Sequence, residues 1–351
     1  MSGAAGNLRL TAEALEGLVA GIFEHAGVPK PEAAFWSQSL VNANLRGVDS
    51  HGVMRVPRYL ELLGIGEIKA NPTMKLLKES GAIALLDADR APGPVGMSRA
   101  MEVAIARARK VHVGWCVARD ITHAGAVGQY VLQAAEAGMV GLAMTASVPL
   151  MAYHGSKGPV VSTNPIAIGI PARGRPPLVL DMATAVVALG KIQSARSAGR
   201  PVPEGWGLDK EGRPTTDAAA IATLLPMAGP KGSGLSLMIE CLSSLAAGNP
   251  VLAPALAGAK GTRMNGTAVA LDISAFGEPG SFEADVDALA ETIAAQPTSP
   301  GVDALLLPGE RGDAVRQARM KEGIPLPAGT WKALADAAAA AGIAMPQPIA
   351  A

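Results

Sequence analysis

The sequence is poor in aromatic residues, poor in cysteine and free of net charge. Aromatic side chains make up 3% of the 351 residues, there are 2 cysteines, and 30 basic side chains balance 30 acidic ones. A neutral chain creates no long-range field for nucleic acid or an anionic membrane, and few aromatics leave few platforms for base stacking. Cys116 and Cys241 lie in apolar contexts, which predicts small buried residues of a reducing compartment rather than a disulfide framework. We therefore expect no nucleic-acid or membrane partner.

Targeting and membrane signals are missing as well. The first residues contain no basic stretch followed by an apolar one, as a signal peptide would. No apolar run approaches the roughly 18 residues needed to span a bilayer. We therefore expect a cytoplasmic protein. Because hydrophobic residues still make up 49% of the chain, part of that apolar surface is expected in a subunit interface.

The common motifs of cofactor and metal enzymes are also absent. No G-x-G-x-x-G follows a predicted strand, so the Rossmann fingerprint of dinucleotide binding is missing. The stretch GPKGSGLS resembles a P-loop but lacks its spacing. The 5 histidines are scattered, with no H-E-x-x-H and no C-x-x-C in the chain, which argues against a metal site.

Hydrophobic periodicity predicts helical chain ends and a mixed middle. About the first 70 residues read as helices, the first of which begins after Thr11 as its N-cap. Short apolar strands then alternate with helices, and one of these strands is expected to follow an Asn-Gly turn at 265–266. Residues 194–220 are rich in proline, glycine and charge, which predicts a long functional loop.

Reactive side chains are concentrated in residues 46–55, which read RGVDSHGVMR. Gly47 suits the left-handed end of a helix, so His51 is expected on a glycine-flanked loop, where catalytic groups are often presented. A surface turn with capping and solvated side chains explains the same ten residues. The local pattern leaves both interpretations open.

Four further short segments carry chemistry. The first lies at the start of a predicted helix, an end that attracts anions, and the second precedes a proline. The third ends a predicted strand. The fourth combines a lysine with glycines at a helix start, which suits a phosphate. Each also has a structural interpretation, as a buried histidine, an N-cap, a solvated lysine or a turn. Their residues are His123 with Gly125 and Gly128, Thr163 with Asn164, Asp181 with Lys191, and Lys231 with Gly232 and Gly234.

In combination these segments are specific, and the chain resembles the malate/L-lactate dehydrogenase family of nicotinamide-dependent oxidoreductases. This family includes sulfolactate, ureidoglycolate and diketogulonate dehydrogenases, and piperideine/pyrroline-2-carboxylate reductases. The resemblance runs from about Leu10 to Ile343, and D-S-H-G-V-x-R is its most specific part. The segments that carry it are NLRGVDSHGVMRVPRYLELL, THAGAVGQY, STNPIAIGIPA, DMATAVVALGKI, LLPMAGPKGSGLSLMIECL and MNGTAVALDISAFG.

The resemblance implies an α+β fold without a Rossmann domain, like that of sulfolactate dehydrogenase. In this fold a helical domain forms from residues 1–75 and the C-terminal helices of 310–351. Residues 76–309 form a mixed-sheet α/β sandwich that binds cofactor and substrate. The resemblance also implies a homodimer or higher homo-oligomer, and it explains the missing glycine-rich fingerprint.

The resemblance also implies a role for individual residues. His51 is expected to be the proton donor, with Ser50 as its relay partner and Lys191 as a further catalytic residue. Arg55 is expected to bind the substrate carboxylate, with Thr163 and Arg46 also on the substrate. Cofactor contacts are expected at His123, Ala124, Gly125, Ala126, Val127, Asp181, Met182, Ala183, Leu189, Gly190, Pro230, Lys231, Gly309, Glu310 and Arg311.

The chain departs from the family pattern at three places. Ala124 stands where many members have Phe, Leu189 where relatives have Arg, and Pro230 where His or another larger residue is common. These departures affect the nicotinamide-side contacts and the choice of substrate. NAD and NADP stay open, because Arg311 suits a 2'-phosphate and Glu310 beside it suits a free ribose hydroxyl.

Three functions follow from this pattern. The first is NAD(P)-dependent hydride transfer at C2 of a small 2-hydroxy or 2-oxo acid, such as malate, lactate or sulfolactate. The segment SHGVMR supplies an acid that titrates near neutrality and a planar clamp for a carboxylate. The second is reduction of a cyclic imino acid on the same scaffold. The third is a non-catalytic ligand-binding protein, which the presence of Ser50, His51, Arg55 and Lys231 together argues against.

Overall fold

The structure, a computed structural model, describes residues 8–261 and 263–349. Short 3-10 turns cover Asp49–His51 and Val53–Arg55, and a π-helical turn over Cys241–Leu245 continues α7. In chain order the α-helices are α1 Ala12–His25, α2 Lys30–Leu45, α3 Val56–Gly64, α4 Gly93–Val111, α5 Gly128–Glu136, α6 Leu189–Ser197, α7 Pro230–Glu240, α8 Leu252–Leu256, α9 Pro279–Ala294, α10 Glu310–Glu322 and α11 Ala328–Ala340.

The strands form three sheets. In chain order they are β1 Leu8–Leu10, β2 Lys75–Ser80, β3 Ile83–Ala91, β4 Val113–Ile121, β5 Met139–Ala146, β6 Met151–Ala152, β7 Pro159–Val161, β8 Ile166–Ile170, β9 Leu178–Met182, β10 Gly207–Leu208, β11 Thr223–Leu224, β12 Met264–Asp272 and β13 Ile324–Leu326.

The largest sheet has seven strands in the order β2-β3-β4-β12-β5-β8-β9. Only the β3–β4 pair is parallel, and the crossover between those two strands contains α4. Alanine and other small or aliphatic residues of the strands pack against α4 and α5 to form the main core. The carboxyl end of β9 delivers Asp181 and Met182 to the cleft described below.

The two chain ends share a second core. Strand β1 pairs antiparallel with β13, with Leu8 opposite Leu326 and Leu10 opposite Ile324. Leu334 and Ala338 of α11 are buried among the apolar residues of α1, α2 and α3. At the centre of this core the rings of Phe23 and Trp36 stack with centroids 4.0 Å apart.

The four-stranded sheet β10-β11-β6-β7 packs with α6 around a third, smaller core. The predicted loop 194–220 contributes Val202 and Ala218 to this core. No residue of that loop lines either of the cavities described below.

The prediction of an Asn-Gly turn before β12 is wrong. Asn265 and Gly266 lie inside β12, and the Asn265 side chain is fully buried. Its Oδ1 accepts from the Asp120 backbone N–H at 3.1 Å, and its Nδ2 donates to Ser244 Oγ at 3.0 Å. These tertiary hydrogen bonds satisfy an amide that local sequence alone would place in a turn.

Candidate active site

Two adjoining cavities, each of about 320 Å³, lie between the helical end region and the large sheet. The first cavity is lined by the end of α2, the start of α5, the end of β9 and the start of α10. The second is lined by α3, the loop after β4 and the loop after β5. The two cavities share five residues, namely His51, Gly125, Pro165, Ala183 and Ala188.

His51 sits at this junction because of how its turn is built. Helix α2 ends at Leu45, and two successive 3-10 turns follow on either side of Gly52. A Cβ at Gly52 would lie 2.1 Å from Asn44 Oδ1, so only glycine fits there. The same Oδ1 accepts from the Val53 N–H at 2.8 Å, and Asn44 Nδ2 donates to Asp49 Oδ1 at 2.6 Å. The glycine and the buried asparagine together fix the turn.

The polar side chains around His51 form a short chain of contacts. His51 Nδ1 is 2.9 Å from Ser50 Oγ, and the His51 ring stacks on His123 with centroids 5.5 Å apart. His123 Nδ1 is in turn 2.7 Å from the hydroxyl of buried Tyr59. Arg55 Nε donates to the Ser50 carbonyl at 2.7 Å. The turn, α3 and the loop after β4 thus converge on one point.

Burial and positive charge keep both histidines neutral. Burial, and then the nearby Arg55 cation, lower the pKa of His51 from 6.5 to about 4. Burial, His51 and Arg55 lower the pKa of His123 to about 3. Burial also raises the pKa of Tyr59, so its hydroxyl stays protonated. At neutral pH the His51 imidazole is therefore unprotonated in the free protein.

The structure brings most of the predicted site residues to the two cavities. His51 lines both of them. The first cavity contains Arg46, Ser50, Gly125, Ala126, Val127, Asp181, Met182, Ala183, Gly309 and Arg311. The second contains Arg55, His123, Ala124, Gly125, Thr163, Ala183, Leu189 and Gly190.

Four predicted site residues line neither cavity. Lys191 is exposed in the first turn of α6, and Pro230 and Lys231 are exposed at the start of α7. Glu310 faces another side of α10, where it pairs with Arg175 at 2.5 Å. Gly232, part of the predicted phosphate cradle, is buried, and a Cβ there would lie 2.4 Å from the Met227 carbonyl oxygen. Close packing therefore accounts for this glycine.

Two predicted residues that line the first cavity also have a structural partner. Asp181 Oδ2 accepts from the Gly128 N–H at 2.8 Å, which caps the start of α5. Arg46, expected on the substrate, lines the first cavity and not the second, and its Nη1 is 2.6 Å from Asp313.

The sequence did not predict seven polar residues that line the cavities, namely Asn42, Arg58, Tyr59, Gln129, Thr145, Ser147 and Arg263. Arg58 and Tyr59 line the second cavity, and their spacing of three and four residues after Arg55 was a usable signal, since such neighbours share a helix face. Arg263 also lines it, and Gln129 lines the first. Arg263 is far in sequence from every predicted site residue, and no local pattern marks it. Gln129 lies two residues after Val127, in the segment that carries His123.

The first cavity fits an elongated anionic cofactor. Eight of its 20 lining residues are glycine or alanine, and such small residues admit close approach of a ligand. Arg311 is exposed at the start of α10, a helix end that attracts anions, and it has no ion pair among the described residues. Within the same residues, the buried Nε2 of Gln129 has no hydrogen-bond partner. A donor of this kind suits a hydroxyl or carbonyl of a bound nucleotide.

Comparison with known proteins decides the family. A sequence profile described as malate/L-lactate dehydrogenase matches residues 10–335. The chain belongs to the malate/L-lactate dehydrogenase family. Malate dehydrogenase of Pyrococcus horikoshii is 34% identical over 330 residues, which cover 91% of each chain.

Solved structures agree with this family. Sulfolactate dehydrogenase of Methanocaldococcus jannaschii matches with a TM-score of 0.88 and 33% identity, over 96% of this chain and 98% of that one. Δ1-Piperideine-2-carboxylate reductase of Pseudomonas syringae matches with a TM-score of 0.83 and 28% identity, over 94% and 99%.

The predicted family, the α+β fold class and the oxidoreductase activity are therefore confirmed. As a member of the malate/L-lactate dehydrogenase family, the protein is an NAD(P)-dependent oxidoreductase. In the described part of the chain, no three potential metal ligands come together. No helix in that part is long and apolar enough to cross a membrane.

Proposed function

We propose that the protein transfers hydride between NAD(P) and C2 of a small 2-hydroxy or 2-oxo acid. In this proposal the cofactor binds in the first cavity and the acid in the second. The observation that carries the proposal is the position of His51, which lines both cavities. Arg55 lies beside it in the second cavity, where a substrate carboxylate would be held next to the reacting carbon.

His51 is proposed to move the proton of the substrate hydroxyl. When the hydroxy acid is oxidised, the hydride leaves C2 for the nicotinamide and neutral His51 takes the hydroxyl proton. In reduction the same imidazole must first be protonated. A substrate carboxylate beside Arg55 offsets the charge that helps to lower the pKa of His51. Substrate binding is therefore expected to raise the pKa of His51, so that a larger fraction of its imidazole is protonated and can donate.

Arg55 is proposed to orient the substrate through its carboxylate. Its Nε is already used on the Ser50 carbonyl, while its two Nη groups have no hydrogen-bond partner among the described residues. A carboxylate bound to these groups would be held by the same side chain that touches the His51 turn. The bond to Ser50 thus ties the position of the substrate to the position of the proton acceptor.

The charges of the second cavity favour a substrate with a second acidic group. Arg58 and Arg263 line this cavity in addition to Arg55. Each is about half exposed and has one acidic partner, Glu61 at 2.6 Å for Arg58 and Asp120 at 3.5 Å for Arg263. A guanidinium pairs well with a carboxylate or a sulfonate. Malate and sulfolactate are therefore expected to be better substrates than lactate.

Reduction of a cyclic imino acid is the second candidate. The likeness to the piperideine-2-carboxylate reductase of Pseudomonas syringae favours it. Arg55 would hold the same carboxylate, and His51 would supply a proton as the imine carbon accepts hydride. Ala124, where many members of the family have Phe, lines the same cavity with a small side chain.

A substrate panel with both cofactors tests these proposals. The purified protein is mixed with NADH or NADPH and with oxaloacetate, sulfopyruvate, pyruvate or a cyclic imine, and absorbance of the reduced nicotinamide is followed. We expect turnover of the two acids with a second acidic group, and at least tenfold lower kcat/KM with pyruvate, as one charge-assisted contact implies. Turnover of cyclic imines alone would support the second candidate. Binding without any absorbance change would support a non-catalytic protein.

A further inference from the structure

Helix α10 packs directly on the segment that carries His51. Gly47, which has a φ of +74°, faces Val315, and a Cβ on it would lie 3.1 Å from the valine Cγ1. On the next turn of α10, Arg319 donates from Nη1 and Nη2 to the two oxygens of Asp49 at 2.6 and 3.0 Å. Arg319 Nη1 also donates to the Asn44 carbonyl. One arginine therefore contacts the segment both before and within its 3-10 turn.

The position of Asp49 makes this contact relevant to the site. Asp49 is the first residue of the 3-10 turn that continues through Ser50 to His51. A 3-10 turn is short and its hydrogen bonds are poorly aligned, so it depends on outside contacts for its geometry. Arg319 and Asn44 supply those contacts, because both donate to Oδ1 of Asp49.

The Asp49–Arg319 pair acts outside both cavities. Neither residue lines the first or the second cavity. Arg319 is 16% exposed, so its planar group is held against the protein, while Asp49 is 45% exposed. Arg46 and Asp313 already tie the first turn of α10 to the end of α2. The second ion pair is therefore not needed merely to attach the helix.

We propose that Arg319 is a positioning residue that holds the turn carrying Ser50 and His51 through its two-point grip on Asp49. This inference rests on the proposed role of His51 in proton transfer. Without these two contacts between Arg319 and Asp49, the turn can shift relative to the second cavity. Displacement of a reacting group by about 1 Å can lower a rate by about 100-fold.

The test compares Arg319→Gln, Arg319→Lys and Asp49→Asn with a control, Arg316→Gln. Arg316 is exposed on the same helix and has no ion pair among the described residues. We expect Arg319→Gln and Asp49→Asn to lower kcat by about 10- to 100-fold. The dissociation constant of the reduced cofactor should stay within about twofold, because Arg319 lies roughly 12 Å along the helix from Arg311.

Conservative and double variants separate positioning from general stability. Arg319→Lys keeps one ionic contact but not the fork, so its kcat should lie between wild type and Arg319→Gln. The double variant Asp49→Asn/Arg319→Gln should be no slower than the slower single variant, since both remove one interaction. Equal loss of kcat and cofactor affinity, together with a melting temperature lowered in proportion, would mean a structural role only and would overturn the proposal.

A titration of the His51 imidazole by NMR gives a readout that does not depend on substrate. His51→Asn identifies its signal among the 5 histidines. Loosening of the turn should raise the pKa of His51 in both Arg319→Gln and Asp49→Asn, because water gains access to the ring. A purely electrostatic effect would move the pKa in opposite directions in the two variants.

These outcomes keep the two proposals apart. Inactivity of the wild type on every acid and imine would remove the proposed function but leave the titration as a test of Arg319. An active wild type, with unchanged kcat and an unchanged His51 titration in both variants, would overturn the role of Arg319 alone.

Discussion

Substitution of Arg55 separates charge from geometry at the proposed substrate site. Its Nε donates to the Ser50 carbonyl at 2.7 Å, and its cation contributes to the low pKa of His51. Arg55→Lys keeps the positive charge but removes the Nε and the planar fork. Arg55→Met removes the charge as well. The lysine variant therefore tests geometry alone.

The expected magnitude follows from the contacts that are lost. A hydrogen bond to a charged group contributes about 1.5–3 kcal/mol, and about 1.4 kcal/mol corresponds to a factor of ten. We therefore expect Arg55→Lys to lower kcat/KM for a 2-oxo acid by about 10- to 100-fold. Cofactor affinity should not change, because Arg55 lines only the second cavity. Arg55→Met should lower kcat/KM further and raise the pKa of His51, since burial alone then opposes its protonation.

Steady-state kinetics with a 2-oxo acid and its methyl ester provide the assay. The ester lacks the carboxylate, so the wild type and Arg55→Lys should differ little on it if the clamp acts on that group. An unchanged kcat/KM of Arg55→Lys on the free acid would rule out a bidentate role. A similar loss on acid and ester would place the effect of Arg55 on the Ser50 turn instead.

Four further predictions concern stability, the cofactor and assembly. His51 is held neutral with a pKa of about 4, while an unfolded histidine titrates near 6.5. The free energy of unfolding should therefore fall as pH drops from 6.5 towards 4. In thermal melts over this pH range, the melting temperature of His51→Asn should fall less than that of the wild type. Parallel curves of melting temperature against pH for the two proteins would contradict this prediction. Arg311→Gln should weaken binding of reduced cofactor by about 1.5–3 kcal/mol. Titration of Lys231→Ala with reduced cofactor tests the sequence prediction that a cofactor phosphate binds at the start of α7. A loss of binding free energy below about 0.5 kcal/mol would reject that prediction. The exposed side chains of Met238 and Leu242 suit a contact face of the predicted homodimer. Met238→Glu should therefore shift the protein to a smaller species in a sedimentation experiment. An unaltered sedimentation coefficient would argue against a dimer contact at Met238 and Leu242.

The sequence predicted those helix ends at which a single residue type, a capping threonine or a left-handed glycine, determines the local structure. Thr11 caps α1 as expected, since its Oγ1 accepts from the Ala14 N–H at 3.1 Å. Gly47 has the left-handed backbone that ends α2. Helix α10 was not predicted as a helix from its pattern, because it has no fully buried residue and no apolar stripe. It is held instead by ion pairs to residues more than 200 positions away.

The site was predictable where its residues are close in sequence. His51 and Arg55 lie on successive turns of one segment, so ten residues contain both the proposed proton-transfer group and the proposed carboxylate clamp. Lys231 shows the limit of such reasoning, because glycines beside a lysine suit a phosphate and also suit close packing. Only the fold shows that Gly232 is pressed against the Met227 carbonyl. Arg263 joins the second cavity only through tertiary contacts, whereas Gln129 lies in the same segment as His123 and Val127.

The most direct test of the account is the turnover of His51→Asn, because His51 is the titratable residue among the five that the two cavities share. Asparagine preserves polarity and approximate size but cannot exchange a proton near neutral pH. We predict that kcat falls by about 10²–10⁴-fold, the contribution of a general acid–base group. The dissociation constant of the reduced cofactor, measured by fluorescence or calorimetry, should stay within about twofold. A variant that retains more than half of the wild-type kcat would show that the proton takes another route, and the proposed role of His51 would be wrong.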